Sequence, residues 1–169
     1  MSDDKYLELE RRLQLLEDYE AIRQVLAMHP LAVDGGGKES WLAHWTDDSV
    51  VSRRRDPEGH SGDYTGTYGK DVMLQELHDP ALAQSRKNGL CHCVTPPYIS
   101  ITGDTADATN YLQLLGVEGT GYRIRRVIMS NWELRREDGE WKISKRSMRP
   151  LGEEEAVELM TKSLPFGME

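Results

Sequence analysis

The sequence is poor in cross-links, apolar runs and positive charge, and each shortage excludes something. Two cysteines, Cys91 and Cys93, in 169 residues do not make a disulfide-stapled scaffold. No apolar run approaches the ~20 residues needed to span a bilayer. Met1 to Asp4 carry no basic stretch leading into an apolar one, so no secretory leader is expected, and the cytoplasm is the expected compartment. Lys and Arg number 21 against 29 Asp and Glu, a net charge of −8. A phosphate-rich partner requires a basic footprint, so neither nucleic acid nor a membrane is an expected partner. No internal repeat, low-complexity tract or linker divides the chain. A single domain over 1–169 is expected, with a core over about 7–150 and a C-terminal helix and tail over 151–169.

The cysteines could suggest a metal site, because His92 lies between them. On a strand, however, Cys91 and Cys93 share one face and His92 takes the other. Cα atoms two residues apart on a strand are roughly 6.5–7 Å apart, at the limit for a disulfide. Free thiols are expected, and with no second ligand cluster at zinc spacing, no metal. Basic residues do cluster locally, at Arg53-Arg54-Arg55, Arg123 to Arg126 and Arg135-Arg136. The last two clusters lie in strand-like segments and suit solvated sheet edges or subunit contacts.

Periodicity supplies the elements. Leu9, Leu13, Leu16, Ile22, Val25 and Leu26 recur at helical spacing, which predicts a long helix over Tyr6 to Val33. Pro30 should kink or stop it, and Gly35-Gly36-Gly37 ends it. A short helix over Glu39 to Trp45 and a strand near Ser49 to Arg53 follow. Asp56 to Gly66 reads as loop and hairpin, Lys70 to His78 as a helix, and Pro80 to Asn88 as a connection. "LCHCVTPPYISIT", "TADATNYLQLLGV", "YRIRRVIMSNWELRRE" and "EWKISKRSMR" read as four consecutive antiparallel strands, the last pair joined by a tight Asp-Gly turn. Glu153 to Thr161 reads as a last amphipathic helix, and Pro165 to Glu169 as a frayed tail. Helices followed by hairpins predict an α+β fold. The expected form is a cone-shaped α+β barrel, a strongly curved, mostly antiparallel sheet with the N-terminal helices packed against it around a pocket.

The blocks "AVDGGGKESWLAHWTDDSVV", "YTGTYGKDVM", "HCVTPPYISITGDTADATNYL" and "WELRREDGEWKISK" resemble the SnoaL-like branch of the nuclear transport factor 2-like superfamily. The resemblance runs from about Leu7 to Pro150. Within the branch it is nearest to the scytalone dehydratases, hexachlorocyclohexane dehydrochlorinases and bile acid dehydratases. Those are cofactor-independent lyases that abstract a proton with a histidine held by an aspartate. The branch's polyketide cyclases use a related pocket for aldol chemistry. The resemblance implies that His92 is the catalytic base and Asp34 the aspartate that orients it. Two positions depart from the bile acid dehydratases. His29 stands where they have a tyrosine, and Gln113 and Leu114 lie nearest the position of their strand acid.

The chemistry of these residue types agrees with that role. Histidine titrates near pH 6.5, so it can take a proton near neutrality. A carboxylate on its second ring nitrogen fixes the tautomer. Their spacing in sequence shows nothing about contact, so the dyad rests on the resemblance. Read alone, His92 also suits a buried histidine bonded to a backbone carbonyl, and Asp34 a helix-end residue.

Further candidates for substrate binding each have a plainer reading. His29 also suits a surface histidine before a proline. Tyr64 and Tyr68 could donate to a substrate carbonyl or simply pack. Asn131, paired with Arg149, could hold a polar or anionic group, or make an ordinary cross-strand bond. Two functions follow. One is a cofactor-independent lyase, isomerase or cyclase acting on a small, mostly apolar, cyclic or polyketide-like molecule. The other is a non-catalytic ligand-binding or assembly module, like the small subunits of ring-hydroxylating dioxygenases. The broad sheet face of the last two strands, with Trp132 and Trp141 as its apolar candidates, suggests a homo-oligomer, dimer or trimer.

Overall fold

Four tryptophans and a set of branched aliphatics form the core, and they come from both the first helix and the long strands. Ile22, Trp132, Leu134 and Ile143 are almost wholly buried, with Trp41, Trp45 and Trp141 beside them. The computed structural model describes residues 3–54 and 66–164. Its elements are α1 (Asp3–Gly35), α2 (Lys38–Ala43), β1 (Trp45–Arg53), β2 (Gly66–Gly69), α3 (Lys70–Leu77), α4 (Pro80–Lys87), β3 (Cys91–Val94), β4 (Tyr98–Thr102), β5 (Thr105–Glu118), β6 (Gly121–Glu137), β7 (Glu140–Pro150) and α5 (Glu154–Ser163).

The expected α+β class is what forms. The strands make one sheet in the order β2-β1-β7-β6-β5-β3, with β4 also on β5. Every pair is antiparallel except β1 with β7. Register shifts interrupt the β1–β7, β5–β6 and β6–β7 ladders. Such bulges bend and twist a strand, and the sheet curves without closing into a full barrel. The β6–β7 turn is the one expected from Asp-Gly, with Asp138 and Gly139 at φ 52° and 83°.

Several local expectations give way. Pro30 neither stops α1 nor marks its end. A proline removes one amide donor, and a helix packed along much of its length can absorb that loss. The second helix ends at Ala43, because Trp45 already belongs to β1. Pro80 to Lys87 is a helix rather than a connection. The Asp79 carboxylate caps it by accepting from Ala81 N–H at 2.8 Å, with Pro80 in the first turn. The first sheet run divides into β3 and β4 at Thr95-Pro96-Pro97, because prolines bring no ladder donor. Thr95 holds the break to β5: its N–H donates to Tyr111 O, and its Oγ1 accepts from Tyr111 N–H. Trp132 and Trp141 are 1% and 4% exposed, so they are core residues, not an apolar outer face. Arg55 to Thr65, which includes Tyr64, and the tail from Pro165 lie outside the described residues.

Asp18 ties α1 to the far end of the sheet. Its Oδ1 accepts from Arg136 Nη2 at 2.7 Å, Trp141 Nε1 at 3.1 Å and Gln14 Nε2 at 3.2 Å. Burial pushes this carboxyl up, and the three hydrogen bonds outweigh it, so its pKa lies below the ordinary 3.8. A carboxylate depressed in the folded state adds stability above its unfolded pKa and loses it as pH falls through the folded one. Asp18→Asn should therefore lower stability at neutral pH by roughly 1–3 kcal/mol, the cost of weakening buried charged hydrogen bonds. The gap to wild type should close as pH drops below about 3.8. Thermal melts followed by circular dichroism across that range check both; a gap independent of pH would be the contrary result.

Candidate active site

α1 ends in a glycine-dependent cap that fixes Asp34. Gly36 takes φ 71°, a conformation most side chains avoid. The N–H of Gly37 then bonds Ala32 O at 2.8 Å and that of Gly36 bonds Val33 O at 3.4 Å, the paired bonds of a Schellman end. Asp34 sits in this last turn. A carboxylate is electrostatically misplaced there, because the helix C-terminus already carries negative charge. The compensation comes from β3. His92 donates its backbone N–H to Asp34 Oδ2 at 2.8 Å, and its Nδ1 meets Oδ1 at 2.5 Å. Both side chains are mostly withdrawn from solvent, at 16% and 24% exposure for His92 and Asp34.

With Nδ1–H directed to the carboxylate, the proton-free nitrogen of His92 is Nε2. His92 lines a cavity between helices and sheet, with about 900 Å³ of space unfilled by protein atoms, counting its open mouth. Val33, Leu82, Leu90, Leu112, Leu114 and Ile128 are among its apolar walls. The cysteines take the other face of β3, as strand alternation requires, with free thiols and Sγ atoms 3.6 Å apart. Among the described residues no group of three or more His, Cys, Asp and Glu could hold a metal ion.

His29 lines the same cavity, but it is buried, at 8% exposure. Its ring lies 4.9 Å from Trp132, with Trp41 and Trp45 also in contact. Its Nε2 accepts from Arg146 Nη1 at 2.7 Å. Burial, and then the neighbouring guanidinium, push the imidazole well below 6.5, so it is neutral. Arg146 is itself buried, with Nη2 on Ser130 Oγ at 3.2 Å and its Cζ 4.1 Å from the Trp132 ring centroid. No carboxylate among the described residues lies within ion-pair distance of it. Burial lowers its pKa to about 9, which leaves it charged at neutral pH. Glu76, whose field it feels, is held by Arg53 Nη1 at 2.5 Å and by the Tyr68 hydroxyl at 3.1 Å.

The remaining candidates lie elsewhere. Tyr68 serves Glu76 on the cavity's flank, and burial raises its hydroxyl pKa. Asn131 faces away from the cavity, under α5, with Nδ2 on Thr109 Oγ1 at 3.1 Å. Arg149 bonds Glu155 of α5 at 2.5 Å and Ser52 at 3.0 and 3.1 Å. The structure thus brings His92 and His29 to one cavity, with Asp34 bonded to His92 but not itself lining it, and leaves Asn131 and Arg149 outside.

Arg146, Arg53 and Glu76 were missed, and for Arg146 the cause is a bulge. Leu134 pairs with Ile143, but Glu133 pairs with Lys145, so Ser144 is an extra residue on β7. Trp141 and Ile143 face inward before it; Arg146 and Met148 face inward after it. Unbroken alternation from Trp141 places Arg146 outside. An arginine framed by two inward apolar residues, once a bulge is allowed, was the available signal.

A family model described as a SnoaL-like domain matches residues 14–147. No curated protein sequence matches the chain. Among solved structures, an NTF2-like protein with a cystatin-like fold from Novosphingobium aromaticivorans is 24% identical, with TM-score 0.83, over 94% of this chain and 99% of that one. The hexachlorocyclohexane dehydrochlorinase LinA-type3 from Novosphingobium barchaimii is 20% identical, with TM-score 0.65, over 83% of this chain and 90% of that one. At this identity such likenesses speak for the fold. With its model spanning most of the chain, from the middle of α1 to the end of β7, the protein belongs to the SnoaL-like domain family.

Proposed function

We propose that this protein is a cofactor-independent lyase or isomerase that removes a proton from a small, mostly apolar, cyclic or polyketide-like substrate. The observation that carries the reading is the Asp34–His92 pair at the wall of an apolar cavity. His92 Nε2 takes the proton. Asp34 holds the tautomer through Nδ1 and stabilises the imidazolium, and the second bond from the His92 backbone N–H keeps the carboxylate in place. Likeness in fold to hexachlorocyclohexane dehydrochlorinases supports elimination as the reaction type.

Removing a proton leaves negative charge on the substrate. Arg146 supplies a positive field at the cavity wall, with no carboxylate among the described residues within ion-pair distance of it and Glu76 acting on it only from farther off, and it polarises His29 through Nε2. A fixed charge in a poorly solvated site acts strongly on charge that develops there. His29 is neutral, and its buried Nδ1 has no hydrogen-bond partner among the described residues.

The reading is tested by assaying hexachlorocyclohexane and a panel of cyclic β-hydroxy ketones for elimination, and the ketones for exchange of the acidic hydrogen with deuterated solvent. His92→Ala should keep the fold and lower turnover about 10²-fold or more. Asp34→Asn should also lower turnover, and the double variant should be scarcely worse than His92→Ala, because the two act as one unit. Near-normal turnover in both single variants, or no reaction across the panel with tight ligand binding retained, would transfer the protein to the ligand-binding or assembly reading.

Arg146→Met should lower kcat about 10²-fold with a smaller change in KM, because the field acts on charge that forms only in the transition state. Arg146→Lys should recover part of that loss. Circular dichroism confirms the folded fraction of each variant, and equal activity in the Met and Lys variants would refute the electrostatic role.

A further inference from the structure

α1 is longer than its domain needs. Every residue from Asp3 to Gln14 is exposed, so about 18 Å of helix stands clear of the body at 1.5 Å per residue. The face that docks on the domain carries Asp18, Ile22, Val25, Leu26 and His29. Tyr6, Leu9, Leu13 and Leu16 are 56%, 46%, 57% and 66% exposed. At about 100° per residue, these four centre on the direction opposite the docking face. The same outward face continues to Leu31, 71% exposed, so the chain's own domain does not cover it.

The spacing of the four is three, four, three, which is the a/d seam of a heptad repeat, with Tyr6 and Leu13 at a and Leu9 and Leu16 at d. The flanking charges then sort by sign. Lys5 and Arg12 fall at g; Glu10 and Glu17 fall at e. In a parallel pair of such helices, each g residue meets the e residue of the partner's next heptad, so Lys5 faces Glu10 and Arg12 faces Glu17, on both sides of the seam. In an antiparallel pair, g meets g and e meets e, and every contact is between like charges. On the outer face, Glu8 and Arg11 satisfy each other within the helix at 3.0 Å. Lys5, Glu10, Arg12 and Glu17 make no ion pair among the described residues.

We infer that residues 5–17 of α1 form a parallel two-stranded coiled coil with a second copy of this chain. Isolated helices of this length are marginal in water. Here the helix is continuous with a turn already anchored in the core, so much of the ordering cost is met before association. The docking faces point away from the seam, which sets the two domains on the outside of the pair, without collision and related by a twofold axis along it. This assigns the partner and the surface independently of the reaction in the cavity.

Light scattering should give twice the 19.3 kDa chain mass, and Leu13→Glu, at an exposed site, should return the monomer with an unchanged circular dichroism spectrum. With Cys91 and Cys93 replaced by serine, Leu9→Cys should form a disulfide-linked dimer under copper-phenanthroline oxidation, because parallel helices bring identical d positions together. Lys5→Glu with Arg12→Glu should weaken the dimer, and adding Glu10→Lys with Glu17→Lys should restore it. A monomer throughout the concentration series overturns the inference. So does a dimer that Leu13→Glu leaves intact and Leu9→Cys fails to cross-link, which would use another surface. Sedimentation of a monomeric wild type, but not of Leu13→Glu, with phosphatidylserine vesicles would give the stripe to a lipid surface instead.

Discussion

A helix ends with its last carbonyl oxygens bare, and a carboxylate in that turn sets negative charge against negative charge. Asp34 occupies such a turn, and the arrangement holds because β3 brings an N–H and an imidazole to the same carboxylate. The contact does two things at once. It docks the end of α1 on an edge strand of the sheet, and it holds the Nδ1 side of the His92 ring, a residue that lines the cavity. The helix dipole alone would favour a basic residue here, so Asp34 depends on these two donors from β3.

The second unusual element is a guanidinium in the core. Burying a cation costs several kcal/mol; among the described residues no carboxylate lies within ion-pair distance of this one, and the aromatic face of Trp132, the Ser130 hydroxyl and His29 offset part of the cost. Folding alone gains little from such a residue at position 146. It lines the same cavity as His92, and functional sites commonly retain charges of this kind where an apolar residue would be more stable.

How much of this was legible in the sequence varies with the physics involved. The long strands, the Asp-Gly turn and the class of the fold follow from local patterns that tertiary contacts reinforce, and the family resemblance pointed to Asp34 and His92, which composition and spacing could not join. Arg146 escaped because one extra residue, Ser144, reverses the phase of β7, and its Oγ bond to Glu133 O secures the bulge. Arg149, expected to hold a polar group with Asn131, instead faces α5 and bonds Glu155. Asn131 was misplaced by a related ambiguity: its neighbours Ser130 and Trp132 face inward, so it must face out, and only α5 folding over it makes it buried. Pro80 suggested a loop, although proline in a first turn after an aspartate is a helix start.

The interruption between β3 and β4 has a consequence for how the molecule behaves in company. An exposed sheet edge is a template on which a stranger's strand can be laid down, and unchecked it leads toward fibres. Pro96 and Pro97 carry no amide hydrogen, and successive amides of a strand point to opposite sides, so at the middle of this edge an incoming strand would find a donor missing, and the extra residue there throws its register off by one. The edge that supplies the histidine is therefore also the one where accretion of further chains is checked.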